Sequence, residues 1–118
     1  MARQTIAKQV PLGPYSSLPV AANALDLVET AADATKKEQF APSGNDLVII
    51  HNTGASAYTV TFTSAADEQN RTGDVTTYSL GAGEIMAFRF KTPGWKQSDG
   101  YIYMEASNAA VKYAVIQL

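Results

Sequence analysis

The chain has 118 residues, with nine Lys and Arg against eleven Asp and Glu, a net charge of -2 and no cysteine. That length supports one domain with a real core, the lack of cysteine excludes disulfides and thiolate metal sites, and the missing basic excess argues against nucleic acid or an anionic membrane as a partner. Charged residues make up 17% of the sequence, below the roughly 25% of ordinary soluble domains, so a largely neutral surface suited to protein contacts is expected.

The N-terminal stretch MARQTIAKQVPLGPYSSLP has no apolar core of the kind a secretory signal needs, because Gln4, Lys8 and Gln9 interrupt it. No run elsewhere approaches the ~18 apolar residues of a membrane span. The expectation is a protein made and used in soluble form. Residues 1–23 carry Pro11, Pro14 and Pro19 with Gly13, which favour extended backbone. They read as an arm preceding a β domain over residues 24–118. Ile6, Val10, Leu12 and Tyr15 are its candidate partner-binding residues. Such an arm can be a tail, strap its own domain or grip a neighbour, and the sequence leaves these open. If it grips a neighbour, its removal should leave the domain folded.

From Leu25 the pattern is one of short strands between turn signals. Residues 25–30, LDLVET, alternate as an edge strand does, and residues 31–39 could form a short helical turn. Residues 46–52, DLVIIHN, form a β-branched apolar run too short for a helix, which predicts a central strand covered on both faces. A tight turn at residues 53–56 then leads into YTVTFT, with Tyr58, Val60 and Phe62 on one face; the two runs read as a hairpin. After a polar loop bounded by Gly73 come TTYSL, a Gly81/Gly83 turn read as another hairpin, and a strand with Met86, Phe88 and Phe90 facing one way. A loop with its corner at Pro93 and Gly94 precedes YIYMEA and VKYAVIQL, read as a C-terminal hairpin. About seven strands at this spacing predict an all-β fold, a β-sandwich or jelly-roll-like barrel with an extended N-terminal arm. Val48, Ile50, Val60, Phe62, Phe88, Val115 and Ile116 are the expected core.

Catalytic signatures are missing, and no enzyme, cofactor or metal is expected. His51 is the single histidine, so a triad or an imidazole-rich metal site would rest on it alone, and it sits at the end of the most apolar strand. Asp67, Glu68, Asn70 and Asp74 offer oxygen ligands, but their spacing puts Arg71 where a calcium loop needs an acceptor. The G-x-G of residues 81–83 precedes a strand, whereas a phosphate cradle precedes a helix. Trp95, Tyr101 and Tyr103 could stack on sugar rings, which keeps a carbohydrate-binding or tail-fibre module as the alternative function; strand packing is the plainer use of such aromatics.

The segments LVIIHNTGASAYTVTFTSAAD, RTGDVTTYSLGAGE and GWKQSDGYIYMEASNAAVKYAVIQL resemble small head decoration, or cement, proteins of tailed bacteriophages. The resemblance covers residues 46–118 and rests on a pattern of strand, Asn-Thr-Gly turn, Thr-rich strand and Gly-Trp loop. It implies a virion protein made in the host cytoplasm that binds the outside of an assembled capsid and clamps neighbouring copies of the major capsid protein. Because such proteins often sit at three-fold points, it also implies self-association, with a homotrimer expected.

Overall fold

The computed structural model describes residues 2–11, 21–23, 25–66 and 69–118. Among them lie ten strands and no helix: β1 (Gln4–Thr5), β2 (Lys8–Gln9), β3 (Thr30–Ala31), β4 (Glu38–Phe40), β5 (Asp46–Asn52), β6 (Tyr58–Thr63), β7 (Val75–Leu80), β8 (Ile85–Phe90), β9 (Ile102–Ala106) and β10 (Val111–Gln117). One sheet has the order β1-β4-β9-β6-β7; the other has β2-β10-β5-β8, with β3 also on β10. The antiparallel pairs β6–β7, β5–β8, β4–β9 and β3–β10 are nested around the loop between β6 and β7. A long antiparallel ribbon folded over on itself in this way, so that β10 also meets β5 and β9 also meets β6, is a jelly roll. The sandwich is open at its edges and does not close into a barrel.

Nesting corrects all three expected hairpins. β5 and β6 lie in different sheets, as do β7 and β8, and β9 and β10, so the short turns between them carry the chain across the sandwich. Alternation in the sequence says which face of a strand is buried but not which strand lies beside it. The crossing after β5 is fixed by Asn52, which is fully buried. Its Nδ2 donates to the carbonyls of Ser56 and Leu80, and its Oδ1 accepts from the Gly54 amide. A Cβ on Gly54 would come within 2.8 Å of the Tyr58 ring, so the tight crossing requires glycine there.

β5 is central as expected, but only alternate residues are buried: Asp46, Val48, Ile50 and Asn52 point inward while Leu47, Ile49 and His51 are half-buried on the outer face. The expected double cover is therefore corrected to cover on one face. The edge strand expected over residues 25–30 is reduced to Thr30, at the start of β3. β3 pairs with Lys112 and Tyr113 of β10, but further along that edge Val115 and Ile116 are already taken by β2. Residues 25–29 are thus displaced outward. The short turn expected within 31–39 forms as a single one: Asp33 Oδ1 accepts from the amides of Thr35 and Lys36 as an N-cap does, the Lys37 amide donates to the Asp33 carbonyl at 2.7 Å, and the chain then enters β4 at Glu38 without extending into a helix.

Between the sheets, Val48, Ile50, Val60, Phe62 and Val115 are buried as expected, joined by Ile6, Phe40, Phe90, Ile102, Met104 and Tyr113. Phe88 packs against this core partly buried, and Ile116, in register with Leu47, is half-buried on the outer face. Phe62 meets Phe88 and Phe90 at 5.2 and 5.1 Å between ring centroids, and Trp95 closes the end edge-on to both at 5.4 and 5.2 Å.

Candidate interaction surface

The N-terminal segment is built into the sandwich from its third residue. Gln4 and Ile6 donate their amides to the carbonyls of Lys37 and Gln39, laying β1 parallel to β4. The chain then crosses to the other sheet, where β2 runs parallel to β10. Between the two strands Ile6 enters the core, 2% exposed. Arg3 fastens the start: its guanidinium donates to the carbonyls of Glu38 and Met104 and lies 4.0 Å over the Tyr103 ring. The Tyr103 hydroxyl donates in turn to Asp99, which holds that carboxyl below its usual range. Residues 3–9 therefore strap their own domain, and the expected boundary at residue 23 falls after two strands that already belong to it.

Of the four candidate partner residues, Ile6 is used up inside the domain, Val10 is 66% exposed, and Leu12 and Tyr15 lie outside the described residues. The structure adds three apolar residues to Val10. The Gln9 side chain donates to the Asp26 carbonyl and accepts from the Val28 amide, both at 2.9 Å, so residues 26–28 lie alongside β2 as a side-chain-paired strip. His51 Nδ1, 3.2 Å from Glu29 Oε2, holds the end of this segment against the outer face of β5. Leu25, Leu27 and Val28 remain 67%, 43% and 62% exposed. Alternation alone concealed this strip, because it reads the same for a paired edge strand as for one pushed off its edge.

Among the described residues no cluster of His, Asp and Glu could hold a metal, and no helix is long and apolar enough to cross a membrane. Asp67 and Glu68 lie outside the described residues, and Asp74 accepts from the amide and hydroxyl of Ser64, which holds its carboxyl below the usual range. A cleft of about 150 Å³ on the face of β6 and β9 is lined by Ala34, Thr59, Thr61, Glu105, Ala106 and Ser107. It is smaller than the roughly 300 Å³ at which small-molecule sites begin. Of the three rings that could stack on sugar, Trp95 is engaged edge-on by Phe88 and Phe90, Tyr103 is covered on one face by Arg3, and Tyr101 is half-buried.

Glu38 is the unusual ionisable group, fully buried between β1 and β9. Its Oε2 accepts from the Asp33 amide at 2.6 Å. Its Oε1 and the Tyr113 hydroxyl perturb each other's ionisation, yet neither completes a hydrogen bond of good geometry. Burial raises the Glu38 carboxyl above its ordinary value of 4.5, against the lowering effect of the Asp33 amide. It lies beneath the strap, in register with Gln4 of β1 and Met104 of β9. No known protein family, curated protein or solved structure matches the chain.

Proposed function

We propose that this chain is a structural virion protein that binds the outside of an assembled phage capsid and stabilises the lattice by clamping neighbouring major capsid subunits. The observation that carries the reading is the apolar strip of Val10, Leu25, Leu27 and Val28, held in place by Gln9 and left exposed. Apolar side chains fixed together at a surface mark protein contacts. The jelly roll is also a common architecture of viral shell and lectin domains, although a fold alone assigns no function.

The mechanism is mass action. A ligand that binds only the assembled lattice stabilises it by about 2.7 kcal/mol per site at a hundredfold excess over Kd, and repetition over many sites resists internal pressure. The test is co-sedimentation with expanded capsids. The full chain is expected to saturate them, while the double substitution Leu27→Lys and Val28→Lys weakens binding at least tenfold with an unchanged melting temperature. Failure of the full chain to bind would overturn the reading. Unimpaired binding by the double variant would remove the strip from it.

A further inference from the structure

The two strands at the far side of the sandwich, β7 and β8, each have a neighbour on one side only. β7 is interrupted: its register with β6 shifts between Val60 and Phe62, Thr77 has φ of 49°, and the Thr77 amide is taken by the Thr61 hydroxyl. Such a bulge spoils an edge as a template for further pairing. β8 is regular over all six residues against β5, contains no proline and carries one charge, Arg89.

The direction of its free backbone groups follows from the register. Asn52 donates its amide to the Glu84 carbonyl at 3.0 Å, so even-numbered residues of β8 turn their N–H and C=O groups toward β5. Those of Ile85, Ala87 and Arg89 point the other way, and among the described residues no strand receives them. The same three side chains lie exposed on the outer face, Ile85 at 63%.

We propose that two copies of this chain pair edge to edge through β8, antiparallel about Ala87, to join their β2-β10-β5-β8 sheets into one. In this register Ala87 meets its own copy and Ile85 meets Arg89, and each pair exchanges both backbone hydrogen bonds. Arg89 Nε donates to Asn45 Oδ1 at 2.7 Å, which draws the guanidinium over its own sheet beside the exposed Ile85 of the other copy. The two guanidinium groups stand about 13 Å apart along the strands, at 3.3 Å per residue, beyond the roughly 8 Å screening length of physiological salt. On the inner face Met86 meets Phe88, which covers the partly buried end of the core. A register centred on Arg89 would instead oppose two like charges. A strand paired with itself is an isologous contact and closes at two copies, whereas a trimer needs two different surfaces to meet. This contact stands independently of the capsid reading.

Sedimentation equilibrium of the full chain is expected to show a dimer. Ala87→Lys and Ala87→Glu each place like charges opposite one another on the two-fold axis; each alone is expected to dissociate the dimer at least tenfold more readily. An equimolar mixture of the two is expected to recover a heterodimer of wild-type strength, which a folding defect could not do. A monomeric or trimeric wild type, persistence of the dimer in both single variants, or failure of the mixture to recover it would overturn the proposal.

Discussion

The two sides of the sandwich treat their sheet edges in opposite ways. On one side β1 and β2 lie along β4 and β10, Arg3 ties the start down, and Ile6 fills the gap between the sheets. On the other, β7 is blunted by a bulge and β8 is left regular and open. A jelly roll wound from eight strands has exposed edges on both sides, and here the N-terminal segment covers only one. An edge can therefore be managed by covering, by irregularity or by association, and this chain shows the first two within itself.

The largest test of the contrast is removal of residues 1–9. That takes away two strands, the Arg3 anchor and a core side chain, so the remaining chain is expected to lose its cooperative thermal transition by circular dichroism. A folded truncation would return the segment to the status of a detachable arm. A matched pair of substitutions comes next. Ile6→Ala is expected to cost about 2–5 kcal/mol in denaturant unfolding, as for other buried isoleucines, while Ile85→Ala on the open edge stays within about 0.5 kcal/mol, its effect appearing in self-association. Equal costs would mean that the two sides are equally built in.

The smallest effect concerns Glu38 under the covered side. Because its folded-state pKa is raised, the folded protein binds this proton more tightly than the unfolded chain does. The contribution is fully present below the ordinary value of 4.5 and is lost as pH rises through the higher folded value; above that the buried charge is a constant cost. Glu38→Gln keeps an acceptor for the Asp33 amide without the charge. Its melting temperature is expected to match or exceed the wild type at neutral pH and to lack the decline above 4.5; a strongly destabilised Gln variant would show that the carboxylate itself is needed.

Alternation made much of the fold legible from the sequence. YTVTFT and the Phe88 and Phe90 strand fall where the pattern puts them, since burial of one face imposes a period of two whatever the neighbours are, whereas DLVIIHN is the strand its β-branched run predicts but is covered on one face only. Pairing was not legible, because a short turn with Asn52 and Gly54 can close a hairpin or bridge two sheets, and the choice lies in distant partners such as the Leu80 carbonyl that Asn52 reaches. The candidate surface was half legible. Val10 was identifiable as apolar and outside the strand pattern, whereas Leu25, Leu27 and Val28 were assigned to a strand whose place on β10 is occupied by Lys8 and Gln9, residues too polar to announce a strand. Ile6 looked available for a partner because nothing local shows that β4 and β10 leave a slot for it.

The nested pairing of strands also sets a timetable. Ile6 is made before the rest of the core, but the strand beside β2 is β10, the last of the ten in chain order. The innermost pair, β6 with β7, can form while the chain is still growing, followed outward by β5 with β8 and β4 with β9 as each second strand emerges. β1 can meet β4 early, but β2 must wait, undocked, until Val111–Gln117 has been released. Contacts so distant in sequence fold slowly, on the order of milliseconds to seconds. A nascent chain of this design completes its core only once β10 has been made, and β2 and β10 close the fold together.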